Sequence, residues 1–302
     1  MVDLKLNIPD SFWKEETRWG WHITEETKRI WAVQLDLTSE LLRVCKENGL
    51  TLFADAGTML GAVRHQGYIP WDNDIDFIMR RKDYDKLCRI GPKAFQHPYF
   101  FQTEETDPGS VYLHAKLRNS NTTGILKSQY NGRCHFNQGI FVDIFPFDNV
   151  PDAGPERDSL LAKTDKLRDY AVKYSFFVYR HAKSDTLKRR AGNMVRDLIK
   201  MVCPHNPYYR RLQKEAGKYR DMDTRQIGGI SYTKDWFYEK AFYEQPVEVP
   251  FEFITLTIPK QTDAILEYMY GDWKTPVMGG GTHGDTIFDV DRPYTDYLEE
   301  LK

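Results

Sequence analysis

Asp72, Asp74 and Asp76 stand at alternate positions near the end of the run 53–79, FADAGTMLGAVRHQGYIPWDNDIDFIM. Read as a strand, this spacing sends the three carboxylates to one face and Ile75 and Phe77 to the other. Like charges crowd there unless they are solvated or share a divalent cation, and an oxygen-only cluster suits Mg2+ or Mn2+. A solvated turn is the plain alternative. A calcium loop of the EF-hand type is excluded, because Phe77 stands where its glycine must be and Asp83 where its glutamate must be. Upstream, Gly57-Thr58 follows an apolar strand expected at 51–54 and opens a short helix expected at 59–64. Glycine permits close backbone approach, and N–H groups at a helix start face an anion. Ile69-Pro70-Trp71 cannot continue that helix, so a new strand is expected to begin at Asp72.

A fourth carboxylate, Asp143, lies inside Ile-Phe-Val-Asp-Ile-Phe. An ionised group in so apolar a strand costs several kcal/mol unless it is paired or coordinated. It is therefore either held by a partner, a metal being a good one, or on an edge facing water. The run 111–118 alternates, with Val111, Leu113, Ala115 and Leu117 on one face and Tyr112, His114, Lys116 and Arg118 on the other. That second face is either a clamp for a diphosphate, Arg118 as a fork and Lys116 as a point charge, or a solvated outer surface.

A glycine-hydroxyl pair opening a helix, followed by carboxylates two apart, resembles the nucleotidyltransferase superfamily signature. More closely, GTMLGAVRHQGYIPWDNDIDF with RRKDYDKL resembles the core motif of the LicD/fukutin family, and GIFVDIFP (139–146) and YMYGDW (268–273) extend the likeness in weaker form. Family members more often carry Asp where this chain has Asn73, a side chain expected to face away from the cluster. The resemblance implies an α/β (α+β) fold, a mixed and mostly antiparallel nucleotidyltransferase-like sheet with flanking helices. It implies that Asp143 completes a metal site with Asp74 and Asp76, and that a phospho-alcohol such as phosphocholine passes from a CDP-linked donor to a glycan or lipid-linked glycan acceptor with release of CMP. Lipopolysaccharide, capsule or teichoic acid synthesis would be the setting. In that reading Gly57 and Thr58 grip phosphate oxygens, Arg64, Lys116 and Arg118 support them, and Asp143 is the candidate base. A nucleotidyltransferase acting on an NTP, or a metal-dependent glycosyltransferase, would use the same aspartates.

The elements that must position these groups are legible from periodicity. Thr24 caps a helix with Glu25 and Glu26 in its first turn and Ile30, Val33, Leu37, Leu41 and Val44 on one face, stopped by Asn48-Gly49. It is expected to pack under the sheet that carries the aspartates. Trp13, Trp19 and Trp21 before it form either a hydrophobic arm or an aromatic lid. Further on, a helix is expected at 82–94 and a strand at 99–103. After the Pro151 to Pro155 break come helices at 156–182, 185–202 and 207–220, then strands at 226–232 and 251–258 and a helix at 262–270. Domains are accordingly expected at 1–150 (catalytic core), 151–222 (an inserted basic helical subdomain) and 223–302 (completing the core).

The chain has 302 residues, 41 % hydrophobic and 28 % charged, with net charge −2, values that exclude a disordered or fibrous protein. Within 163–220, however, sixteen Lys and Arg face five Asp and Glu. Such a segment is either a solvated helical surface or an attachment to an anionic membrane surface or other polyanion; no nucleic-acid partner is expected. Neither a leader nor an apolar run of spanning length is present, so a cytoplasmic location, peripheral to the membrane at most, is expected. Cys45, Cys88, Cys134 and Cys203 lack zinc or disulfide spacing. The GxGxxG in 278–284, ahead of any binding role for His283, is a false match without a preceding strand. Tyr68, Trp71, Tyr130 and Trp273 are candidates for a cage around a quaternary ammonium.

Overall fold

The computed structural model describes residues 2–110, 112–130, 136–179, 186–233, 236–278 and 286–300. Val111, Cys134 and the glycine-rich run with His283 lie outside them. In chain order the regular elements are β1 (Glu16–Arg18), β2 (Trp21–Ile23), α1 (Glu25–Glu47), β3 (Phe53–Ala54), α2 (Ala56–His65), β4 (Asp76–Arg80), α3 (Arg81–Ala94), β5 (Tyr99–Gln102), β6 (Ala115–Asn119), β7 (Thr123–Leu126) and β8 (Ile140–Val150). There follow α4 (Pro155–Tyr179), α5 (Leu187–Val202), α6 (Pro207–Ala216), β9 (Gln226–Gly228), β10 (Phe237–Glu239), β11 (Pro246–Phe251), β12 (Ile254–Pro259), α7 (Thr262–Tyr270), β13 (Thr286–Asp289) and α8 (Tyr294–Glu299). The fold is α+β, as expected.

The main sheet runs β10-β9-β8-β4-β3, with β6 also on β8 and β5 on β6. It is mixed: β4 and β8 are parallel, and every other pair in it is antiparallel. Helix α1 is where the sequence put it, with the Thr24 hydroxyl accepting from the Thr27 N–H at 3.2 Å and Trp31, Val33, Leu35, Leu37, Leu41 and Val44 buried. It packs against β6 and β8. Helices α3 and α7 match their expected positions, α7 ending at Gly271 with φ +65°. Glycine tolerates that backbone without strain.

Four expectations are corrected. The strand begins at Asp76, not Asp72, because the carbonyls of Asp72 and Asn73 are taken by side chains of α1 rather than by a neighbouring strand. The strand expected at 251–258 is the second half of a hairpin, β11 and β12, whose turn places Glu252 at φ +53° and hands its carboxylate to Arg18 and the Tyr68 N–H. The strand expected at 226–232 ends at Gly228, where β10 ends its register with Phe237. Last, the alternating run 111–118 gives no solvated face over 115–118. Its regular part, β6, is an interior strand between β5 and β8, and all five of its residues are buried.

Helices α4 and α6 pack on each other and close a small apolar cluster of Val150, Leu160, Ala216, Tyr219 and Ile230. Arg81 joins them to the main sheet: it forms a buried fork with Asp148 of β8 and donates to Gln213 of α6 at 2.8 Å. Among the described residues no helix is long and apolar enough to cross a membrane.

Candidate active site

Helix α1 holds the aspartate segment in place. Trp31 Nε1 donates to the Asp72 carbonyl at 3.0 Å and Gln34 Nε2 to the Asn73 carbonyl at 2.7 Å. The Trp31 ring stacks on Tyr68 with centroids 4.3 Å apart, and the Tyr68 hydroxyl reaches Gln34 Oε1 at 3.1 Å. Strand β3 and the start of α2 supply the other wall. The Asp76 N–H donates to Thr58 Oγ1 at 2.9 Å, and the Asp55 N–H to the Asp76 carbonyl at 3.0 Å. Thr58 is thus a positioning residue, buried behind the aspartates. Glycine at 57 lets the Asp72 carboxylate lie close against the helix start, since a Cβ there would stand 2.8 Å from Asp72 Oδ2.

These elements enclose a cleft of about 420 Å3 whose lining includes Gly57, Arg64, Trp71, Asp72, Asp74, Asp76, Tyr270 and Trp273. Asp72 and Asp74 share a hydrogen bond. Burial, then the charge of Asp74, pushes the Asp72 carboxyl up to about 8. Asp76 is raised well above the ordinary carboxylate range, first by burial and then by Asp74, Asp143 and Asp55. Both shifts favour protonated carboxyls in the cleft, and a cation among these oxygens would replace the protons.

Directly behind the cleft, register does the positioning. Asp76 of β4 is level with Asp143 of β8, which is level with Lys116 of β6, so the three side chains share one face of the sheet. Lys116 Nζ forms a short ion pair with Asp143 Oδ1, and His114 Nε2 meets the same oxygen at 2.8 Å. Asp143 thus has a protein partner, and is neither a lone charge nor an edge residue. Burial alone would raise its carboxyl, but Lys116 and then His114 hold it below the usual range. Burial lowers the Lys116 ammonium to about 8 against the opposing pull of Asp143.

Several expected residues are placed elsewhere. Arg118 is wholly buried, donates to Gln102 Oε1 at 2.5 Å and the Gly139 carbonyl at 2.6 Å, and lies over Phe141; with Lys116 it stands behind the cleft instead of clamping a ligand in it. Arg64 lines the cleft and donates to the Trp273 carbonyl at 2.7 Å, tying the 271–275 segment down as its far wall. Of the four candidate cage aromatics, Trp71 and Trp273 reach the cleft, Tyr68 is buried under Trp31, and Tyr130 packs on Tyr297. Trp13 packs on the core, whereas Trp19 and Trp21 are exposed near the cleft, Trp21 edge-on to Trp71 at 6.1 Å.

Sequence reasoning missed Asp55, and it put His114 on the face of 111–118 without the contact to Asp143. Asp55 is the N-cap position of α2, its Oδ1 is buried without a hydrogen-bond partner, and burial raises its carboxyl to about 6. An Asp before a helix start was the available signal.

No group of three or more His, Cys, Asp or Glu among the described residues forms a preformed metal cage. The donor set nonetheless fits a hard divalent cation, because Mg2+ takes one or two carboxylates and completes its shell with water and substrate phosphate. Asp74 and Asp76 are the cleft carboxylates suited to that, with Asp143 adjacent.

Residues 49–178 match the family model described as LicD/FKTN/FKRP, nucleotidyltransferase domain. The lipopolysaccharide cholinephosphotransferase LicD of Haemophilus influenzae is 28 % identical over 126 residues, 40 % of this chain and 43 % of that protein. An uncharacterized protein of Rickettsia typhi is 40 % identical over 198 residues, 62 % of this chain and 63 % of its own. Another, from Rickettsia prowazekii, is 42 % identical over 62 residues, 20 % of this chain and 22 % of its own. The matched stretches thus span less than two thirds of these relatives' lengths. The matched segment takes in the helix-start glycine, the aspartates, Lys116 and Asp143, so the site lies within the part of the chain that is similar to a LicD-type nucleotidyltransferase domain.

Proposed function

We propose that this protein transfers a phospho-alcohol from a CDP-linked donor to a hydroxyl of a glycan or lipid-linked glycan, releasing CMP. The observation that carries the reading is the row of Asp72, Asp74 and Asp76 along one cleft at the start of α2, within a LicD-type domain. Mg2+ or Mn2+, held by Asp74 and Asp76 beside Asp143, would neutralise the donor diphosphate. The backbone at Gly57 would face phosphate oxygens at the N-terminal end of α2, where the helix dipole favours an anion, and Arg64 adds a cation from the same helix. Thr58 fixes the Asp76 backbone, while Trp71, Tyr270 and Trp273 give an apolar wall that limits water.

Lys116 and His114 keep Asp143 ionised. That suits an electrostatic role better than the base role read from the sequence, because a carboxylate held low is a poor proton acceptor. Phosphoryl transfer through a loose transition state asks little of a base, so positioning and charge neutralisation suffice.

The test is a donor panel of CDP-choline, CDP-ribitol, CDP-glycerol, sugar nucleotides and the four NTPs with Mg2+, reading the nucleotide released. CMP from a CDP-alcohol supports the reading. Pyrophosphate from an NTP would make the protein a nucleotidyltransferase, and UDP or GDP from a sugar donor a glycosyltransferase.

A further inference from the structure

Helix α5 is turned inside out relative to a helix of a globular core. Its apolar residues Leu187, Met194, Val195, Leu198, Met201 and Val202 recur at helical spacing, yet they are 53 to 86 % exposed, and no residue of the helix is buried. The opposite, polar side faces the protein. Arg196 Nε donates to the Phe177 carbonyl of α4 at 2.8 Å, its guanidinium lies over the Phe177 ring, and Lys200 lies over Tyr179. The helix is therefore fastened through its charged side, with its apolar stripe directed outward over 16 residues, a length of about 24 Å. Scattered exposed apolar residues need no explanation, but a continuous stripe on one helix marks an interaction surface.

The charge around the stripe selects the occupant. Lys188, Arg189 and Arg190 follow one another, all exposed, in the first turn of the helix, which contains no acidic residue there. They belong to the strongly basic stretch 163–220 of a chain that is acidic overall. An apolar stripe flanked by cations complements an anionic lipid interface, where the stripe enters the acyl boundary and the cations stay at the headgroups. A second copy of the chain would instead bring a rim of the same sign against this one. The helix is too short and too charged to span a bilayer.

We infer that α5 is an in-plane membrane anchor, lying on anionic phospholipid with Leu187, Met194, Val195, Leu198, Met201 and Val202 inserted. The inference concerns attachment alone and does not depend on which donor the cleft uses. It is tested by cosedimentation of the full chain with vesicles of phosphatidylcholine alone or with about a third phosphatidylglycerol. Binding to the anionic vesicles at low salt, weakening as salt rises, is expected. Met194→Glu/Leu198→Glu should weaken it at least about tenfold. Both positions are exposed, so unchanged circular dichroism and melting are expected of this variant. Lys188→Gln/Arg189→Gln/Arg190→Gln should weaken binding and flatten the salt dependence. The inference is overturned if wild type fails to bind anionic vesicles or if the double glutamate variant binds as well as wild type. It is also overturned if sedimentation equilibrium shows that the stripe mediates self-association without lipid binding.

Discussion

Replacing Lys116 by Met isolates the ion pair behind the cleft. The Lys116 side chain is 4 % exposed and that of Asp143 is 11 % exposed, so water cannot take over when the ammonium is removed. Among its described partners, Asp143 Oδ1 would keep only the 2.8 Å contact with His114. Removing one partner of a buried pair typically costs about 3–5 kcal/mol, whereas removing both can be nearly neutral. Lys116→Met should therefore destabilise by about that amount near neutrality, and Lys116→Met/Asp143→Asn should recover most of it. The pH dependence has a defined sign. In the wild type, the Asp143 carboxyl is held low, so its contribution is present above the unfolded value of about 4 and disappears as pH falls through the lower folded value. In Lys116→Met, burial dominates and protonation of Asp143 relieves it, so the gap between variant and wild type should narrow as pH falls toward about 4. Urea unfolding of the three proteins across that range is the assay. A single variant costing less than about 1 kcal/mol near neutrality, or a double variant no more stable than the single, would refute the pairing account.

Gly57→Ala should drive a methyl group into the Asp72 carboxylate, lowering transfer activity at least about tenfold while shifting the unfolding midpoint little, because the clash is with a cleft side chain. Trp31→Phe removes the indole N–H that holds the Asp72 carbonyl and should likewise reduce activity more than its cost of about 1 kcal/mol in stability, as read by paired turnover and denaturation measurements.

The sequence made the helices legible because their apolar spacing is local: 82–94 and 262–270 were expected and α3 and α7 occupy Arg81–Ala94 and Thr262–Tyr270. The aspartates were legible as a cluster, but not the way they are held. A strand reading assigns Asp72 and Asn73 to a ladder, and only the folded chain reveals that Trp31 and Gln34, some forty residues earlier, take their carbonyls. Likewise, alternation at 111–118 leaves a diphosphate clamp and a solvated outer face as its two readings. Strand β6 lies between two neighbours, and inside it Lys116 pairs with Asp143 while Arg118 donates to Gln102 and the Gly139 carbonyl. Partners so distant in sequence leave no periodic trace. The outward stripe of α5 is the reverse case: periodicity gave the helix, and composition gave its charge, but which side faces the protein is a tertiary fact.

The central claim is that the cleft aspartates carry a divalent-metal-dependent transfer from a CDP-alcohol. The most direct measurement is CMP release from the CDP-alcohol panel by wild type and by Asp76→Asn, with Mg2+ and with excess chelator. Wild type should release CMP only when the metal is present, and the variant should release none. Its thermal unfolding should be nearly unchanged, since the buried Asp76 carboxyl, raised well above the ordinary range, is replaced by a neutral amide of similar shape. Undiminished CMP release in chelator, or full activity in Asp76→Asn, would contradict the account.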